Sequence, residues 1–236
     1  MKNAVNGNVA YDIASAPSEV QIDEAILNIH NCGSIYKIEY TPPKLPYRAL
    51  IRFIDIFCSI IATIILSPFM LIISLIIKIN SKGPAIYKQE RLGLNGKPFM
   101  IYKFRSMFVD AEKNGAEWAK PDDERVTKTG KILRKIRLDE LPQLFNIFGG
   151  SMTIVGPRPE RKVFSDEFEK AMPGFNQRLL VKPGLTGWAQ VNGGYYLTAD
   201  EKIHYDLYYI ENQSLWLNIK CILKTVVVIF KRDGAH

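Results

Sequence analysis

The sequence predicts a mainly helical α/β protein, in which a membrane-embedded helix precedes a small α/β domain carrying amphipathic interfacial helices. Three observations predict it. Residues Ile56–Ile77 form 22 consecutive uncharged positions rich in Ile and Leu. Leu94-Asn95-Gly96-Lys97 lies between two segments of strand character. Two later segments, Lys128–Phe148 and Trp216–Arg232, combine helical apolar spacing with many cations.

The division along the chain is a polar lead-in over 1–47, the apolar helix over 48–80 and the α/β domain over 81–236. In the lead-in, Ile22, Ile26 and Ile29 have the spacing of one short amphipathic helix, and Thr41-Pro42-Pro43 with Pro46 breaks the chain after it.

A helix needs about 20 apolar residues to cross the hydrocarbon core, so Ile56–Ile77 is long enough to enter a bilayer. Both of its flanks are basic: Lys44, Arg48 and Arg52 before it, Lys78, Lys82 and Lys88 after it. A straight span would place one basic flank on the outer face, against the usual charge bias. Ser67-Pro68 sits mid-run, where proline removes a helical hydrogen bond and bends the helix. A helix that enters, bends at Ser67-Pro68 and returns to the same face satisfies both facts. A kinked but spanning helix satisfies the second alone, and composition leaves the two open.

Asn-Gly suits the positive φ angles of a type I′ turn, so Ala85–Leu92 and Pro98–Met107 pair as a hairpin. Period-2 alternation then puts Phe99, Ile101, Lys103 and Arg105 on one face. Lys128–Phe148 reads as a helix interrupted at Leu141-Pro142. Its Lys131, Arg134, Lys135 and Arg137 suit an anionic membrane surface, as do Lys220 and Lys224 in the last segment.

The net charge is +7, and residues 50–236 alone hold +8. Such a body favours an anionic partner: nucleic acid, phospholipid or a phosphorylated substrate. No recognised nucleic-acid motif accompanies the cations, which argues against the first. Cys32, Cys58 and Cys221 form no CxxC pair and the three histidines are scattered, so disulfide frameworks, zinc clusters and histidine triads are not expected. Residues 1–20 hold no signal-peptide core.

Leu138-Asp139-Glu140-Leu141-Pro142 sets two carboxylates at a helix junction, with Asp139 where an N-cap would sit and an expected helix N-terminus to keep it ionised. Taken alone, such a pair is an ordinary solvated helix end. Gly156-Pro157-Arg158-Pro159-Glu160 fixes an arginine between two prolines, and a guanidinium matches phosphate oxygens bidentately. Lys182-Pro183-Gly184-Leu185-Thr186-Gly187-Trp188-Ala189-Gln190-Val191-Asn192-Gly193 is a turn-rich loop with polar amides.

These segments, with Lys88-Gln89-Glu90-Arg91-Leu92-Gly93 and Tyr102-Lys103-Phe104-Arg105-Ser106-Met107, occur in the order seen in the bacterial sugar transferases. The chain resembles the short form of these monotopic polyprenyl-phosphate phosphoglycosyl transferases from about Arg48 to Asp233. The resemblance implies transfer of a sugar 1-phosphate from a UDP-sugar to polyprenyl (undecaprenyl) phosphate, as the first membrane step of polysaccharide or glycoconjugate assembly. It implies Asp139 as nucleophile and Glu140 as its partner in the dyad. It further implies a Mg²⁺ requirement, with Asp139 the candidate ligand, a re-entrant helix bent at Ser67-Pro68, and a site on the cytoplasmic face of the inner membrane.

Lys103, Arg105, Arg134 and Arg158 are the candidates for binding phosphate. Where many relatives continue with arginine and tryptophan after Asn192-Gly193, this chain has Gly194-Tyr195-Tyr196-Leu197, which leaves sugar recognition open. A homo-oligomer is left open as well. Two alternatives remain: a glycosyltransferase that releases UDP, with Asp122-Asp123-Glu124 as its nearest metal motif, and a non-catalytic membrane anchor.

Overall fold

The computed structural model describes residues 36–111, 113, 123–194 and 197–231. The amphipathic segment expected at Ile22–Ile29 and the Asp122 end of the acidic triplet lie outside the described residues.

Helix α1, Leu45–Asn80, begins with Pro46 in its first turn and contains Pro68. Its 36 residues, at about 1.5 Å each, would exceed the roughly 30 Å hydrocarbon core if straight. Pro68 cannot donate to the carbonyl of Ile64, and the Ser67 hydroxyl donates to that carbonyl instead at 2.9 Å. Phe53, Ile64, Phe69, Leu71 and Ile79 are among its many exposed apolar side chains. The opposite stripe is covered by the domain: Asp55, Ser59, Met70, Ile73 and Ile77 are buried, and Ala62 and Leu66 partly so.

Strands β1 (Ile86–Leu92) and β2 (Pro98–Phe104) pair antiparallel through the expected turn, where Asn95 and Gly96 have φ of 56° and 71°. Alternation carries Phe99 and Ile101 inward against Leu144, Ile147 and Met152. The strand ends at Phe104, which packs with Met70, Ile73, Ile77, Ala85 and Leu133.

The expected single interrupted helix over Lys128–Phe148 is two. Helix α2 (Lys128–Lys135) starts at Thr127, whose hydroxyl accepts from the Gly130 amide at 2.9 Å. Gly130 is required for packing, because a Cβ there would lie 1.9 Å from the Ser106 carbonyl oxygen. Helix α3 (Gln143–Gly149) follows a 3₁₀ turn over Leu138–Glu140. The break therefore opens at Arg137, in the left-handed region at φ 55°, rather than at Leu141-Pro142.

Strands β3 (Thr153–Val155) and β4 (Gly184–Thr186) form a short parallel pair. Around it lie α4 (Lys162–Ala171), α5 (Trp188–Val191), α6 (Ala199–Glu211) and α7 (Leu215–Lys231). Their main core holds Phe168, Met172, Phe175, Ile203, Leu207, Ile210 and Cys221. Residues 36–44 belong to this body: Tyr36 is buried in that core, and its amide donates to Pro173 O at 2.8 Å.

Candidate active site

The 3₁₀ turn over Leu138–Glu140 exists because Arg137 reverses the backbone after α2. It sets Asp139 and Glu140 against the end of β2, and both are buried. Asp139 is not a helix N-cap as expected: Pro142 occupies that position of α3, and no side-chain cap bond forms there.

Glu140 draws the cations. Its Oε1 accepts from Lys103 Nζ at 3.1 Å and from Arg158 Nη2 at 2.6 Å. Burial alone would raise its pKa, but Arg158 and Lys103 outweigh burial and hold the carboxyl far below the usual range. Asp139 carries no hydrogen bond or ion pair among the described residues. Burial, and then the charge on Glu140, push its pKa up, against the opposing pull of Lys103, Arg134 and Arg158. The expected N-cap placement of Asp139 is therefore corrected: no helix N-terminus offsets the burial that works against its charge. The pKa values of the two carboxylates are driven apart, that of Glu140 downward and that of Asp139 upward.

Three of the four candidate cations converge on the pair. Lys103 and Arg158 bind Glu140 directly, and Arg134 acts on Asp139 through space while its Nε donates to Ser106 Oγ at 2.9 Å. Arg105 does not join them. It follows the end of β2, is buried, and donates from Nη2 to Ser81 O at 2.8 Å and Ser81 Oγ at 2.6 Å. It fastens the C-terminal end of α1, and no bond links it to either carboxylate. Ser67 and Pro68 belong to α1, where the hydroxyl answers the missing amide.

Among the described residues no three His, Cys, Asp or Glu side chains gather as a metal cage. Mg²⁺ commonly binds through one or two carboxylates completed by substrate phosphates and water. Asp139, with both oxygens open beside cations, fits an ion of that kind. Asp123, one of the two described members of the rival acidic triplet, is engaged by Arg125 through Nε at 2.8 Å and Nη2 at 2.6 Å.

Sequence reasoning missed several residues that build the site. Asn146 joins α3 to β2, accepting from the Tyr102 amide at 3.0 Å and donating to Met100 O at 2.7 Å. Arg52 donates to the last carbonyls of α3, Ile147 O at 2.7 Å and Phe148 O at 2.6 Å. Asp55 accepts from Thr153 Oγ1 at 3.0 Å and the Ile154 amide at 2.9 Å. The one available signal was Asp55 itself, a carboxylate at the edge of an apolar run.

A family model described as bacterial sugar transferase matches residues 46–232. The UDP-N-acetylgalactosamine-undecaprenyl-phosphate N-acetylgalactosaminephosphotransferase of Aeromonas hydrophila is 44% identical over 197 residues, 82% of this chain and 47% of that protein. A putative undecaprenyl-phosphate N-acetylgalactosaminyl 1-phosphate transferase of Bacillus subtilis is 51% identical over 133 residues, 56% of this chain and 74% of that protein. The UDP-glucose:undecaprenyl-phosphate glucose-1-phosphate transferase of Klebsiella pneumoniae is 42% identical over 190 residues, 78% of this chain and 41% of that protein. The chain thus spans less than half the length of the Aeromonas and Klebsiella relatives. The carboxylate pair, the arginine between prolines and the loop after Lys182 all fall inside the matched stretch, and the chain belongs to the bacterial sugar transferase family.

Proposed function

We propose that the chain transfers a sugar 1-phosphate from a UDP-sugar to polyprenyl phosphate by way of an ester between the sugar phosphate and Asp139. An Asp139 oxygen attacks the β-phosphorus, the bond from that phosphorus to the bridging oxygen breaks, and UMP leaves. An oxygen of the lipid phosphate then attacks the same phosphorus, and the bond to Asp139 breaks, restoring the carboxylate and yielding a polyprenyl diphosphate sugar. The observation that carries this reading is the asymmetry of the pair: Glu140 holds two cations, while Asp139 stands open beside them. Transfer between polyanions needs fixed positive charge more than covalent help from the protein. Lys103, Arg134 and Arg158 supply it, and their field opposes the burial that raises the pKa of Asp139.

Mg²⁺, held by Asp139 together with substrate oxygens, would neutralise phosphate charge as it develops. The relatives' names supply the substrate class: N-acetylgalactosamine 1-phosphate or glucose 1-phosphate, with undecaprenyl phosphate as acceptor. In this reading the domain lies on the cytoplasmic face of the inner membrane. Helix α1 re-enters that face, since both of its halves are tied to the same domain. Arg52 and Asp55 bind α3 and β3 at one end, and Asn80 and Ser81 bind Thr129 and Arg105 at the other.

The test uses UDP-sugars labelled in the β-phosphate, drawn from UDP-N-acetylgalactosamine, UDP-glucose and UDP-galactose. Without lipid, the chain should gain a sugar-phosphate mass at Asp139; with undecaprenyl phosphate, the label should pass to the lipid. Label found only in released UDP would favour the rival glycosyltransferase.

A further inference from the structure

Arg158 depends on a loop that has two prolines and few amides of its own. Each successive carbonyl from Pro157 to Glu160 is nonetheless taken by a donor from elsewhere. Pro157 O accepts from the Gly184 amide at 2.9 Å, and Glu160 O from the Leu92 amide at 2.9 Å. Pro159 O accepts from Arg91 Nη1 at 3.3 Å. The carbonyl of Arg158 itself accepts from Arg178 Nη2 at 2.9 Å. The same nitrogen donates to Asp206 Oδ2 on α6 at 2.6 Å.

Arg178 and Asp206 are both buried, at 4% and 2% side-chain exposure, so solvent does not weaken their pairing. The guanidinium also lies over the Phe175 ring, 5.0 Å from its centre. Its Nε meets no partner among the described residues. A buried pair with an unanswered donor is an expensive way to stabilise a core, since apolar side chains of similar volume often do as well or better. What this pair supplies is direction.

We infer that Arg178 and Asp206 are a positioning pair that orients Arg158, so that its guanidinium stands between Glu140 and the phosphate being transferred. The inference rests on the phosphosugar-transfer reading for the identity of that phosphate. A line of bonds runs from Asp206 on α6 through Arg178 to the Arg158 carbonyl, and from the Arg158 side chain to Glu140 at 2.6 Å. Arg178 touches no reacting atom. It acts on the loop that carries Arg158, at the Arg158 carbonyl and at Glu160 Oε1 3.7 Å away, and the Arg158 background makes that route testable.

The test is a double-mutant cycle in the full chain, held in detergent or nanodiscs. Arg178→Lys keeps the charge facing Asp206 but loses the planar fork. It should slow phosphosugar attachment to Asp139 about 10- to 100-fold, the loss expected when a group is misplaced by about 1 Å. Introduced into Arg158→Ala, which removes the group being oriented, the same change should cost less than about twofold, the size of ordinary non-additivity error. UDP affinity, measured calorimetrically, should show the same dependence on background and needs no turnover. If Arg178→Lys does not fold, the isosteric Asp206→Asn poses the same question. Equal losses in both backgrounds, or no loss in the native one, would overturn the inference. If no UDP-sugar labels Asp139 in the unaltered chain, the transfer reading fails, and the UDP cycle still decides whether Arg178 acts through Arg158.

Discussion

Asp139 is placed where a carboxylate is costly to charge. Its folded pKa lies above the ordinary 3.8, so its contribution to stability is present below that value and is lost as pH rises through the folded one. Glu140 has the opposite sign: its depressed value adds stability above 4.5 that is lost as pH falls below it. Asp139→Asn should therefore abolish phosphosugar attachment and yet raise the melting temperature near neutral pH. Thermal unfolding in EDTA should show the gap closing as pH falls below 3.8, where Asp139 is neutral in both states. A variant less stable than the unaltered chain at pH 7 would contradict this account. At this scale much of the site was legible. The adjacent carboxylates and the Pro-Arg-Pro segment announce themselves, and alternation along β2 sends Lys103 to Glu140. Arg105 was misread because alternation holds only while the strand lasts, and β2 stops one residue earlier.

Among the elements, α1 is distinguished by how much polar chemistry it uses to hold the domain. Asp55 is buried and receives two donors from β3, so replacing it with Leu leaves Thr153 Oγ1 and the Ile154 amide unanswered. An unsatisfied buried group costs about 1–3 kcal/mol, so Asp55→Leu should lower the melting temperature in detergent by several degrees although it makes the helix more apolar. An unchanged or higher value would show that α1 attaches by apolar packing alone. The apolar length of α1, the hairpin and the two basic segments could all be read from periodicity. The division of Lys128–Phe148 could not, because it depends on Arg137 adopting a left-handed conformation, which non-glycine residues seldom do. The ties from Arg52 and Asp55 to α3 and β3 join residues about a hundred positions apart, beyond the reach of any local pattern.

For the molecule as a whole, exposed apolar side chains are not confined to α1: Ile132 and Ile136 lie on or near α2, Phe145 and Phe148 on α3, and Trp216, Leu223 and Val227 on α7. Patches of this kind require a partner, and a bilayer covers them all at once. Single cysteines placed at positions 43 and 82, either side of α1, in a chain with Cys32, Cys58 and Cys221 replaced, should both react with a cytoplasmic thiol reagent and neither with an impermeant reagent outside. Labelling of one from each side would establish a spanning helix instead. The parallel β3–β4 pair and the docking of residues 36–44 were not foreseen. The strands are only three residues each, and Tyr36 is held by Pro173, a partner far along the chain.

The grip of Glu140 on Lys103 and Arg158 has a consequence for turnover. Both cations already have a resident anion, so under the proposed transfer an arriving diphosphate would have to displace a carboxylate rather than fill bare positive charge. If UMP is the leaving group, as proposed, its departure would let that carboxylate close on the cations again and hasten the exchange. Such an arrangement would give up some affinity for a nucleotide and in return would not be held by its own leaving group.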